Sequence, residues 1–120
     1  GFGIGGHLLE MLRASNVGVR LSIGSIPLLP GAKELLIDGI VSSLQEQNEL
    51  FLEDFKFENI SSTDPSVRLF VDPQTSGGLL AAVEPDCVEK CLLELRVMGF
   101  SHAAAIGQLL PSEDGWLISP

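Results

Sequence analysis

GFGIGGHLLEMLRASNVGVRLSIGSIP, residues 1–27, carries the reading on which the fold depends. Within it, residues 4–14 read as an amphipathic helix: Leu8, Leu9, Met11 and Leu12 are apolar, Glu10 and Arg13 are polar, and Asn16 is the stop. The period then changes. Over residues 17–26, Val17, Val19, Leu21 and Ile23 alternate with Gly18, Arg20, Ser22 and Gly24, the period of two expected of a strand with one buried face. Pro27 and Pro30 end it.

Working outward, residues 31–40 read as a short helix, with a second over 44–51. Strands are expected over 67–71 and 79–83, separated by DPQTSGG. The strongest helical pattern follows. Asp86 and Glu89 are spaced as a capping box, Val88, Cys91, Leu92, Leu95 and Met98 form an apolar stripe, and Gly99 stands where a left-handed C-cap belongs. Strands over 103–110 and 116–119 flank the turn cluster PSEDG. There is no internal repeat. Helices interspersed with short strands predict an α+β domain, a layered α/β/α arrangement with a mixed sheet, partly ferredoxin-like.

At 120 residues the chain reads as one domain, residues 1–120. With 45% hydrophobic and 19% charged residues it is globular in balance, and no apolar run approaches the roughly 20 residues of a membrane span. No secretion signal is evident, and a start at glycine rather than methionine leads to the expectation of a domain from something larger. Sixteen acids against seven Lys and Arg give a net charge of −9, which disfavours nucleic acid or an anionic membrane as partner.

The acids crowd the middle. Glu46, Glu49, Glu53, Asp54, Glu58 and Asp64 face one cation, Lys56, and read as a solvated face, with a metal-binding cluster as the alternative. Cys87 and Cys91, four apart on the expected helix, read as small apolar residues in a reducing compartment. They are poorly placed for a disulfide, and zinc would need further ligands where only His7 and His102 exist.

Two segments invite chemistry. Gly1, Gly3 and Gly6 have the G-x-G-x-x-G spacing of a dinucleotide loop, but that fingerprint needs a preceding strand and an acid about 20 residues on, and residues 21–27, LSIGSIP, hold no carboxylate. Glycines at a helix entry can still let an anion approach exposed amides; alternatively they make a tight turn that packs Phe2 and Ile4 into the core. His7 reads as a cap or packing residue. DPQTSGG, residues 72–78, is longer and more polar than a hairpin needs, which suits either a presenting loop or an ordinary surface loop.

Together, GFG followed by GHLLEM, then LLPGAKELLIDGI, DPQTSGGLLAAV and AAAIGQLL resemble, in order, the C-terminal domain of the selenophosphate synthetases (selenide, water dikinases), within the aminoimidazole ribonucleotide synthetase superfamily. The resemblance implies that the enzyme makes selenophosphate from selenide, ATP and water, releases AMP and phosphate, uses Mg2+, and works in the cytoplasm. It also implies an N-terminal domain that carries most catalytic groups and much of a homodimer contact. In the family motif D-V-T-G-F-G the Asp binds metal, and the chain begins at the G-F-G, so Gly1, Phe2 and Gly3 would position that carboxylate. Asp72, Pro73, Gln74, Thr75, Ser76, Gly77 and Gly78 match the family's loop completely. Thr75, Ser76, Gly77 and Gly78 are expected to face product phosphate or selenide. No catalytic residue and no metal ligand is expected within the chain, and bound ATP and Mg2+ would be held mainly upstream. Where the family has a P-G-G-T-like turn before an Asn, this chain has IVSSLQEQN, so no role for Asn48 is carried over. The alternatives are another superfamily enzyme, kinase-like toward thiamine phosphate or ring-closing, and a non-catalytic interaction module with a large exposed apolar patch.

Overall fold

Strand β1, Gly18–Ser22, lies inside a four-stranded sheet. In the computed structural model, which describes residues 1–120, β4 (Trp116–Ser119) runs parallel to β1 on one side and β3 (Gly107–Leu110) antiparallel on the other. The short β2, Lys56–Phe57, pairs in parallel with the far side of β4, which gives the order β2-β4-β1-β3. Register follows the alternation: Leu21 lies opposite Ile118, and both side chains are buried. Arg20 points away from that core and comes within 4.0 Å of Glu58.

Helix α1, Gly3–Ser15, lays Leu8, Leu9 and Leu12 against the buried face. Each such leucine contributes on the order of 2 kcal/mol through removal of apolar surface from water. Asn16 stops the helix in the left-handed conformation at φ 51°, the backbone freedom that Asn has and most residues lack. β1 is shorter than its alternation suggests. Residues 23–25 tighten into a single 3-10 turn ahead of Pro27, although Ile23 and Ile26 stay buried.

Two short helices, α2 (Ala32–Ile37) and α3 (Gln45–Glu49), fall within the stretches expected to be helical. The expected strand over 67–71 is instead helix α4, Pro65–Phe70. The Asp64 carboxylate accepts from the Ser66 amide at 2.8 Å, and Pro65 occupies the first turn, where its missing N–H costs nothing. Val67, Phe70 and Val71 then recur at i, i+3 and i+4, and all three are buried. Short apolar runs of this kind fit either period, and the cap decides.

Residues 79–83, also expected as a strand, form none and stand largely exposed, with Leu79 wholly so. LLAAV is apolar at every position and so carries no alternation to select a face. The strand expected over 103–110 is confined to its last four residues. Helix α5, Val88–Val97, begins after a turn at Pro85–Cys87, and no side chain caps it, so Asp86 and Glu89 make no capping box. Its C-terminus ends as expected. Gly99 sits at φ 98°, with the Gly99 amide bonded to the Arg96 carbonyl and the Phe100 amide to that of Leu95, a Schellman closure. Val88, Cys91, Leu92 and Leu95 are half-buried, and α5 buries no residue fully. The result is a mixed α+β fold whose core lies between the sheet and α1 and α4.

Candidate functional site

The two segments singled out in the sequence meet in space. A Cβ added to Gly1 would stand 2.6 Å from the Gln74 carbonyl oxygen and 2.9 Å from the Gln74 nitrogen, so the chain start lies on the backbone of the DPQTSGG loop. One residue on from Phe2, Gly3 holds φ +62°, and a Cβ there would be 2.6 Å from Val71 Cα. No side chain fits, which is a mechanical reason for glycine at both positions.

Asn48 spans the junction. Its Nδ2 donates to the Gly1 carbonyl at 3.0 Å and to the Val71 carbonyl at 2.9 Å, and the residue is 3% exposed. Nothing in the sequence assigns Asn48 a role. An Asn in a polar run has no signature of burial, and only the fold reveals it.

Beside Asn48 lies a second polar cluster. Gln45, 1% exposed, donates from Nε2 to the Arg68 carbonyl and to Glu49 Oε1, each at 3.0 Å, and Arg68 Nε donates to the same Glu49 oxygen at 2.7 Å. Burial pushes the Glu49 carboxyl up, but the hydrogen bonds from Gln45 and Arg68 and the Arg68 charge outweigh it and hold the group below its ordinary value.

From Gln74 to Gly78 the loop is exposed. Gln74 Nε2 donates to Asp72 Oδ2 at 2.6 Å, and the Thr75 and Ser76 hydroxyls have no protein partner. They are available to a ligand. Phe2, 44% exposed, sits at the surface rather than in the core, edge-on to Phe51 at 5.7 Å and tilted against His7 at 5.6 Å. Ile4 is also at the surface. His7 Nδ1 lies 3.4 Å from Glu10.

Glu46, Glu53, Asp54 and Glu58 are exposed, as expected of a solvated face, while Glu49 and Asp64 are half-buried. Asp54 pairs with Arg13 at 2.9 Å, Glu49 with Arg68, and Asp64 caps α4. No group of three His, Cys, Asp or Glu side chains converges closely enough to hold a metal ion. Cys87 and Cys91 are free thiols, the first exposed and the second half-buried. No helix is long and apolar enough to cross a membrane.

The fold is a mixed α+β domain in which a glycine-entry helix lies against an exposed polar loop. The chain belongs to the family of AIR synthase related proteins, C-terminal domain, whose model matches residues 1–118. It is similar to "Selenide, water dikinase" of Burkholderia pseudomallei, 37% identical over 113 residues, covering 92% of this chain and 31% of that protein. It is likewise similar to the protein so named in Pseudomonas straminea, 36% over 109 residues and 91% and 30% of the two chains. For the one in Clostridioides difficile the figures are 30% over 118 residues, 98% and 34%. The chain spans about a third of the length of these curated relatives.

Proposed function

We propose that this chain serves as the C-terminal domain of a selenide, water dikinase and forms one wall of a site that makes selenophosphate from selenide, ATP and water, releasing AMP and phosphate. The observation that carries the reading is the contact of Gly1 with the Gln74 backbone, which joins two of the segments on which the family resemblance rests.

The chemistry assigns this chain a supporting part. Phosphoryl transfer depends on positioning and on charge stabilisation around the transferred group. With seven Lys and Arg against sixteen acids, the chain has little with which to neutralise a polyphosphate. Carboxylate-held Mg2+ outside these residues balances that charge in our reading, and ATP is held there as well. The chain supplies the Gly1, Phe2 and Gly3 turn and the Thr75, Ser76, Gly77 and Gly78 loop facing the cleft. The layered, partly ferredoxin-like arrangement belongs to the same reading, supported by the half-buried stripe of α5, as do a cytoplasmic location and a homodimer.

Leu93, Val97, Met98 and Phe100 are exposed together at the end of α5, the feature that favours an interaction module. Both readings agree if the partner is the enzyme's own N-terminal domain. Calorimetric titration with ATP tests the enzyme reading. Millimolar or undetectable affinity for this chain, with much tighter binding when the upstream domain is present, is expected; tight binding by the chain alone would overturn the proposal. Release of ADP instead of AMP would assign the chain to a thiamine-phosphate-kinase-like relative.

A further inference from the structure

We infer that Asn48 is a positioning residue, a carboxamide latch that fixes the glycine segment at residues 1–3 to the start of the Asp72 to Gly78 loop. The effect on turnover rests on the function proposed above; the latch itself does not.

A carboxamide nitrogen has two hydrogens to donate, and Asn48 directs one to each segment: Gly1 at 3.0 Å and Val71 at 2.9 Å. Both acceptors are carbonyls that regular structure leaves open. Val71 is the C-cap of α4, where the last carbonyls have no partner within the helix, and Gly1 precedes α1. Burial raises the stakes, because at 3% exposure water cannot replace a donor that is removed.

The neighbours of Asn48 on α3 show what distinguishes it. Gln45, three residues earlier, donates to the Arg68 carbonyl, and Glu49 accepts from Arg68 Nε. Those contacts tie α3 to α4 alone. Asn48 makes the same tie through Val71 and also reaches the chain start. Its side chain is short and has few rotamers, so the two carbonyls are held at nearly fixed separation. The contact is close because Gly3 and Gly1 allow backbone to lie on backbone at Val71 and Gln74. The latch and the glycines act as one device: the glycines permit the approach, and the amide holds it.

Asn48→Asp tests this at nearly constant shape. A carboxylate cannot donate, and it would face two carbonyl oxygens. Amide hydrogen exchange on this chain reads the result locally through Gly6, bonded to Phe2, and Asp72, bonded to Leu69. In Asn48→Asp both amides should exchange about tenfold faster or more, because loss of one buried hydrogen bond corresponds to about that factor. The sheet amides of Leu21 and Ile118 should keep their protection, and Gln45→Ala should leave Gly6 unchanged. Uniform loss of protection, or no change at Gly6, overturns the latch. If Asn48→Asp does not fold, the wild-type chain still decides by NMR: couplings across hydrogen bonds from the Asn48 side-chain amide to the Gly1 and Val71 carbonyls are expected, and a rapidly exchanging amide without them overturns it. In a full-length enzyme containing this chain, Asn48→Asp should lower kcat by about tenfold to a hundredfold through misplacement, with KM for ATP nearly unchanged and Asn48→Gln recovering part of the loss. Unaltered kcat overturns the positioning role. A wild-type full-length enzyme that forms no selenophosphate would instead remove the proposed function, while exchange still decides the latch.

Discussion

Gly3 and Val71 meet backbone to backbone: a Cβ built on the glycine would lie 2.6 Å from the Val71 Cα and 2.7 Å from the Phe70 carbonyl oxygen. The first turn of α1 and the last turn of α4 are therefore locked together at the point where the candidate site begins. Gly3→Ala is expected to cost on the order of 3 kcal/mol, because it combines left-handed strain with overpacking against rigid backbone. Gly39, at φ +81° with nothing within 4 Å, supplies the comparison. There only the strain applies, and Gly39→Ala should cost about 1 kcal/mol. Urea unfolding of the two variants measures the difference, and equal losses would mean that the α1–α4 contact is looser than described.

A second prediction concerns the identity of residues 65–70. The Asp64 carboxylate holds the Ser66 amide at 2.8 Å, and the backbone of Asp64 is extended, as an N-cap requires. Asp64→Ala should destabilise the chain by about 1 kcal/mol, and Asp64→Asn should restore most of it. A strand in this place would need no such cap, so thermal melts in which Ala and Asn behave alike would speak against α4.

That helix also shows what the sequence made legible. Periodicity located α1 and β1 because each has a single buried face, the PSEDG turn set off β4, and the turn residues Asn16 and Gly99 mark the ends of α1 and α5 at positive φ. VRLFV at 67–71 misleads because a buried segment with five mostly apolar residues has no distinct period; only Asp64 and Pro65 ahead of it indicate a helix. β2 escaped notice because two residues carry no pattern, and its partner is distant in sequence. The glycine and DPQTSGG segments were recognisable as strings, but their contact was not. Asn48, which joins them, is an ordinary polar residue until the fold buries it.

Acidity should be felt first through Glu49. Its carboxyl is held below the ordinary value in the folded chain, so the unfolded chain binds more protons in the interval between the two values. The stabilising contribution is therefore fully present above the ordinary carboxyl value of the unfolded chain and is lost as pH falls through the lower, folded one. Glu49→Gln should flatten the decline in stability over that acid window and lower stability at neutral pH, where Arg68 is left without its carboxylate. The decline in wild type measured from pH 6 downward, unchanged in the variant, would assign the effect to other carboxylates.

Thr75 and Ser76 separate site from scaffold. Both are exposed and neither hydroxyl has a partner in the protein, so replacing them should change stability by no more than about 0.5 kcal/mol. If they face product phosphate or selenide, the double Thr75→Ala and Ser76→Ala variant of a full-length enzyme loses hydrogen bonds to a charged group. Each such bond is worth about 1.5–3 kcal/mol, which corresponds to about tenfold or more in turnover. Phosphate release under saturating ATP and selenide provides the measurement, with the melting temperature as control. A fall in turnover at constant melting temperature places the loop at the reacting groups, because no structural contact is available to explain it; unchanged turnover removes Thr75 and Ser76 from the site and leaves the loop's glycine amides as the part still able to meet an anion.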